Sequence, residues 1–288
     1  MIILAVESSC DETAVALVRD GRTVLADCIA SSVEMHRIYG GVVPEIASRK
    51  HIEVIAQLAD QALEQAGLSR GDIDAVAVTY APGLIGAVLV GVSFAKSVAY
   101  ALGVPLIPVH HVRGHIAANY LAHPDLEPPF VCLCVSGGTS LLVDVKGYTE
   151  MEILGATRDD AAGECFDKIA RVMGLGYPGG APLDRAAQGG NDKAFSLPRV
   201  HIQDAPLDMS FSGLKTAMLN LIHNAQQKGE ELPVADLAAS FSAAVSEELV
   251  PRTMAAAQAK GYGKVAVVGG VAANSRIRRD LEQACQAA

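Results

Sequence analysis

Phe130-Val131-Cys132-Leu133-Cys134-Val135, then Ser136-Gly137-Gly138-Thr139-Ser140, then Leu141-Leu142-Val143-Asp144-Val145 is the stretch that decides the fold. It reads as an apolar strand, a turn of small and hydroxylated residues, and a second apolar strand. The same pattern opens the chain. Ile2–Val6 is apolar, Glu7-Ser8-Ser9-Cys10-Asp11-Glu12-Thr13 is a polar turn, and Ala14–Val18 is apolar again. Asp20-Gly21 then turns the chain into a third strand from Thr23 to Ala30. A hairpin repeated in this way predicts two related lobes, each lending one loop to a nucleotide in the cleft between them. A chance match of two common hairpins is the alternative.

The segments between these hairpins alternate strand and helix. Pro44 opens a helix from about Glu45 to Ala66, which Gly67 ends, with Ile46, Ile52, Ile55, Leu58, Ala59 and Leu63 as its apolar stripe. Asp74–Thr79 is a strand, Ala81-Pro82-Gly83-Leu84-Ile85-Gly86 a turn, and residues 87–102 a helix. A strand, a glycine turn and a helix can aim backbone N–H groups at an anion, although tight connections of this kind need glycine anyway. The run Gly174–Asp184 holds four glycines and two prolines, which excludes a helix or central strand and suits close backbone approach to a ligand. Helices are expected from Phe211 to about Gln227 and from about Val234 to Lys260. Val265–Val268 is a strand, and Gly269-Gly270-Val271-Ala272-Ala273-Asn274 turns into a last helix from Ser275.

His111 and His115 stand four apart in His110-His111-Val112-Arg113-Gly114-His115. On a helix that spacing puts both rings on one face, where neutral imidazoles can hold zinc or iron. Two ordinary helix histidines would look the same. The expected division is a first lobe at 1–109 and a second at 110–288. His123-Pro124-Asp125-Leu126-Glu127-Pro128-Pro129 is the best linker.

Bulk properties narrow the class. The chain has 288 residues, half of them hydrophobic, and a net charge of −9, so it is no generally basic nucleic-acid binder. The basic clusters Arg49-Lys50-His51 and Arg276-Ile277-Arg278-Arg279 are candidate local basic patches, with ordinary solvated helix faces as the favoured reading of each alone. Six scattered cysteines without a C-x-x-C pair suit a reducing compartment. No signal peptide is legible, and Lys96, Pro82, Pro105 and Pro108 break the apolar run Tyr80–Val112. A cytoplasmic protein without a membrane span is expected.

Taken together, Val6–Thr13, His111–His115, Val135-Ser136-Gly137-Gly138, Phe211-Ser212-Gly213-Leu214-Lys215 and Gly269–Asn274 resemble the TsaD family of tRNA adenosine threonylcarbamoyltransferases, in order along the whole chain. The resemblance implies an α/β fold of the actin/hexokinase/Hsp70 (ribonuclease H-like) type, with two lobes around a nucleotide cleft. It implies transfer of a threonylcarbamoyl group from threonylcarbamoyl-AMP to the N6 amine of the adenosine beside the anticodon, in tRNAs reading ANN codons. His111 and His115 are then metal ligands, for Fe(2+) first and Zn(2+) second. Val135, Ser136, Gly137, Gly138 and Thr139 hold the phosphate and carbamoyl end, while Asp167, Gly180, Asp184 and Asn274 line the adenosine and ribose site. Asp11 or Glu12 orients the amine or takes its proton. The implied partners are tRNA, a paralogous TsaB-type subunit, a TsaE-type ATPase and a TsaC-type synthase that makes the donor.

Two departures stand against the family pattern. The family reads Ser-Gly-Gly-His-Thr where this chain reads Ser136-Gly137-Gly138-Thr139, and its third metal ligand is an aspartate expected beyond residue 288. A metallopeptidase is disfavoured because Val112 occupies the place of the glutamate in H-E-x-x-H. An ATPase or kinase of the same superfamily has no need of paired histidines. A non-catalytic paralogue would be expected to have lost them.

Overall fold

The computed structural model describes residues 1–199 and 202–288 and divides the chain into two compact units, Met1–Asp125 and Leu126–Ala288. The division falls inside the proline-rich linker, not at 109/110 as expected. The histidine helix therefore belongs to the first unit, because it packs on that unit's strands.

In the first unit β1 (Ile2–Glu7), β2 (Glu12–Arg19) and β3 (Thr23–Ser31) form an antiparallel meander. Strands β4 (Ala75–Ala81) and β5 (Leu106–His110) add to it in parallel, giving the order β3-β2-β1-β4-β5. The parallel pairings require crossovers, supplied by α1 (Val33–His36), α2 (Pro44–Ala66) and α3 (Ile85–Leu102). α4 (His111–Ala122) follows β5 without a loop. Leu4, Val6, Val15, Leu17, Val76 and Val78 alternate into the core, where α2 meets them with Ile55, Leu58 and Leu63. α3 is long and apolar enough to cross a membrane. It is instead a layer of this unit, burying Ala87, Gly91, Ala95 and Ala99 at four-residue spacing as it packs on β4 and α2.

The second unit repeats the plan. β6 (Phe130–Val135), β7 (Ser140–Val145) and β8 (Met151–Ala156) form a meander, and β9 (Val265–Val268) joins β6 in parallel, in the order β8-β7-β6-β9. All of β6 is buried, which explains its uninterrupted apolar sequence. Packed around the sheet are α5 (Ala162–Val172), α6 (Gly180–Ala186), α7 (Ser212–Lys228), α8 (Val234–Lys260) and α9 (Ser275–Ala287). Phe166 and Phe241 meet edge to face at 5.3 Å in its core.

α6 corrects the expectation that 174–184 holds no helix. Its Pro182 lies in the first turn, where backbone N–H groups have no intrahelical acceptor, so the ring costs no hydrogen bond. The strand β8 and the short helix α1 had no counterpart in the sequence reading. Asp144 is fully buried at the end of β7, with Lys260 from the last turn of α8 at 2.7 Å.

Candidate functional site

Each unit carries one constellation. In the first unit α4 begins at His111, immediately after β5, and its first turn presents both rings to the end of β1. The Nε2 atoms of His111 and His115 lie 3.0 Å apart. Two ring nitrogens this close could both reach one divalent ion. Among the described residues no group of three histidine, cysteine or carboxylate side chains is arranged to hold a metal ion.

Glu7 decides the tautomer. Its Oε2 lies 3.3 Å from His111 Nδ1, and Ser9 Oγ lies 3.1 Å from the same nitrogen. Burial pushes the Glu7 carboxyl up, but hydrogen bonds from His111, Ser9 and Thr79 outweigh it and leave the pKa at about 2. An ionised carboxylate can only accept, so Nδ1 carries the proton and the Nε2 lone pair faces His115. This carboxylate–histidine arrangement orients a metal ligand and raises its basicity. Burial lowers His115, and the neighbouring His111 lowers it further, keeping that ring neutral and able to donate its own lone pair. The residues present therefore fit a divalent metal as two of its ligands.

Sequence reasoning gave Asp11 or Glu12 the acid–base role and assigned none to Glu7. Among the described residues neither Asp11 nor Glu12 hydrogen-bonds His111 or His115; Glu12 is exposed at the start of β2, and Asp11 bonds the Cys10 thiol. The signal for Glu7 was its position as the last residue of β1. The turn Ala81–Gly86 also differs from the anion loop considered above. A Cβ on Gly83 would stand 2.6 Å from the Ser9 carbonyl oxygen, and Leu84 N–H donates to that oxygen at 2.8 Å. Its glycine lets the chain pack against its own Ser9.

In the second unit a cavity of about 390 Å³ collects Gly137, Asp167, Gly180, Asp184 and Asn274, which are dispersed over the sequence. That volume suits a small organic ligand. Asp167 Oδ1 accepts from Gly179 N–H at 2.7 Å, which ties the glycine-rich loop to α5. Asp184 Oδ1 accepts from the Ser275 hydroxyl at 2.8 Å and its N–H at 3.1 Å. Asn274 caps α9, its side-chain oxygen accepting from Arg276 and Ile277 N–H at 3.1 Å each.

The other residues of the Val135–Thr139 loop stand behind or beside the lining. Ser136 N–H donates to the Thr139 carbonyl at 2.8 Å and closes the turn, with exposed Gly138 at its tip. Val135 is buried, and its carbonyl abuts Gly269, whose φ of +95° and missing Cβ permit the approach. Gly163 N–H, at the start of α5, donates to the Ser136 carbonyl at 3.2 Å. Sequence reasoning missed Gly163, Phe166 and Arg185 on the lining, since no spacing rule links them to the loop they face.

Phe211–Lys215 has a structural explanation. Asp159 caps α7 through Phe211 N–H at 2.8 Å and the Ser212 hydroxyl at 2.8 Å, while Asp160 pairs with Lys215 and, at 3.3 Å, with Lys168.

Both sheets share a three-strand meander followed by a parallel strand, which is the plan of the actin/hexokinase-like class. Solved structures agree. HypF of T. kodakarensis superposes at a TM-score of 0.67 and 17% identity, covering 99% of this chain and 44% of that one. The Thermus thermophilus ROK hexokinase does so at 0.51 and 14% identity, covering 100% and 90%. The family described as TsaD, tRNA N6-adenosine threonylcarbamoyltransferase, matches residues 23–288. The protein of that name from Clostridium botulinum (strain 657 / Type Ba4) is 54% identical over 284 residues, 99% of this chain and 84% of its own length. That of Clostridium perfringens (strain ATCC 13124) is 54% identical over 280 residues, covering 97% and 83%. The chain belongs to the TsaD family. It is a transferase that modifies tRNA.

Proposed function

We propose that this chain uses threonylcarbamoyl-AMP as donor and transfers its threonylcarbamoyl group to the N6 amine of the adenosine beside the anticodon of ANN-reading tRNAs. The observation that carries the donor's place is the cavity of the second unit, where Gly137, Asp167, Gly180, Asp184 and Asn274 meet. The adenosine and ribose end binds there. The exposed tip of the glycine turn, Gly137 and Gly138, offers backbone N–H groups to the phosphate, while the start of α5 holds that turn in place through Gly163 N–H and the Ser136 carbonyl.

In the reaction the N6 amine attacks the carbamoyl carbonyl, the bond from that carbon to the phosphate oxygen breaks, and AMP leaves. The amine is a weak nucleophile and loses a proton as it adds. Asp11 or Glu12 orients it and accepts that proton. Backbone N–H groups of the glycine turns stabilise the negative charge that develops on oxygen. His111 and His115 hold the metal, Fe(2+) by first choice and Zn(2+) by second, and Glu7 fixes His111 toward it. When bound, the metal supplies a Lewis acid for an oxygen of the donor.

A TsaB-type paralogue, a TsaE-type ATPase and a TsaC-type donor synthase complete the system in the cytoplasm. Support for a protein partner comes from α3, whose Ile85, Leu89 and Tyr100 are 88%, 61% and 91% exposed on one face. The test is transfer from labelled threonylcarbamoyl-AMP to unmodified tRNA, run beside metal analysis of wild type and of His111→Ala/His115→Ala. Transfer and stoichiometric metal, both lost in the variant, are expected. A folded wild type that holds no metal would overturn the metal assignment. One that holds metal yet ignores this donor would overturn the donor.

A further inference from the structure

The acidic turn of the first unit is held by two buried histidines that the reaction above does not use. His36, the last residue of α1, and His51, in α2, are 0% and 1% exposed. His51 Nε2 lies 2.9 Å from the Cys10 carbonyl oxygen, which can only accept, so that nitrogen carries the proton. Its Nδ1 then accepts from the Thr13 hydroxyl at 2.7 Å. His36 is fixed from the other side. Val43 N–H donates to its Nδ1 at 3.2 Å, so Nε2 carries the proton and donates to Ser32 Oγ at 3.0 Å. The Ser32 hydroxyl in turn donates to the Asp11 carbonyl at 2.7 Å, beside Ser32 N–H at 2.8 Å.

Two imidazoles from two helices thus reach two consecutive carbonyls of one turn, that of Cys10 directly and that of Asp11 through the Ser32 hydroxyl. Buried side-chain chains with every nitrogen partnered restrict the turn to one backbone conformation. The carboxylates of Asp11, half-buried, and Glu12, exposed, gain their direction from that backbone.

We propose that His36 and His51 are positioning residues that set the direction of the acid–base carboxylates through the Cys10 and Asp11 carbonyls. The inference rests on Asp11 or Glu12 acting in transfer as described above. Its prediction separates two chemically similar substitutions. The amide nitrogen of glutamine reaches where Nε2 stands, so His51→Gln keeps the donor to Cys10. The amide of asparagine reaches only where Nδ1 stands, so His51→Asn keeps a partner for Thr13 and leaves the Cys10 carbonyl unpaired.

The test measures kcat and donor KM for the full metal-loaded chain with its partner proteins, together with metal content and thermal unfolding. His51→Asn is expected to lower kcat by roughly tenfold or more, the scale of sub-ångström misplacement, with KM and metal content held. His51→Gln is expected to retain most of the rate. Ser32→Ala, which keeps the backbone N–H to the Asp11 carbonyl and breaks only the link to His36, is expected to lower kcat in the same way. Equal rates for His51→Asn and His51→Gln, or a wild-type kcat for Ser32→Ala, would overturn the positioning role. Asp11→Asn and Glu12→Gln run alongside. If both keep full activity the acid–base reading itself fails, which is a different result from a normal Ser32→Ala beside an inactive carboxylate variant.

Discussion

Gly163→Ala tests how tightly the cavity of the second unit is made. An ideal Cβ at Gly163 would stand 2.5 Å from the Ser136 carbonyl oxygen and 2.8 Å from Gly137 Cα. An ordinary carbon–oxygen contact lies at ~3.3 Å, so the Ser136–Gly138 turn would have to retreat from α5 by about 0.8 Å. The neighbours are backbone atoms, which cannot swing aside as a side chain can. Alanine would gain up to ~1 kcal/mol of helix propensity. Overpacking costs about 1–3 kcal/mol, so the net effect is destabilising, a Tm several degrees lower. The functional effect is larger, because a displacement near 1 Å can cost about a hundredfold in rate. Steady-state transfer kinetics and thermal unfolding of the same sample decide the matter. A variant as stable as wild type with an unchanged kcat and donor KM would refute the argument that this turn and α5 together shape the donor site.

Other outcomes follow from the same geometry. Glu7→Gln replaces the carboxylate that holds the proton on His111 Nδ1 with a neutral amide, a weaker acceptor, and metal affinity measured by competitive titration should fall about 10–100-fold. Glu7 also makes stability depend on pH. Its folded pKa of about 2 lies below the ordinary 4.5, so its contribution is full above 4.5 and is lost as pH falls toward 2. Denaturation curves of wild type and Glu7→Gln should therefore converge in acid, and a gap that widens there would contradict the assignment. Asp184→Ala removes the acceptor of Ser275 N–H and hydroxyl, and donor KM should rise at least tenfold with metal content unchanged. Phe241→Ala opens a cavity in the core beside Phe166 and should cost about 3–5 kcal/mol in urea unfolding.

Much of the fold was legible because it is written in local patterns. The apolar–turn–apolar repeat of Ile2–Val18 and Phe130–Val145 announced two related sheets, and both have the same meander and parallel strand. Pro44 and Gly67 bound α2 as expected, since one fixes φ for a first helical turn and the other accepts the left-handed cap. The start of α6 was hidden because composition argued against a helix while proline is harmless in a first turn. The unit boundary was displaced because α4 follows β5 without a loop, so only packing shows which strands it belongs to.

The sequence by itself determined the chemistry on offer: two histidines at helical spacing, an acidic turn, glycine turns beside strands and the asparagine before the last helix. Periodicity and residue type suffice for these, because each depends on neighbours a few positions away. Only the tertiary structure decided which groups meet. Glu7 and His111 are 104 residues apart, and Asp184 and Ser275 are 91. Which carboxylate holds a histidine proton, and which glycine faces a carbonyl in place of a ligand, depends on how strands distant in sequence are brought side by side. No local spacing records that.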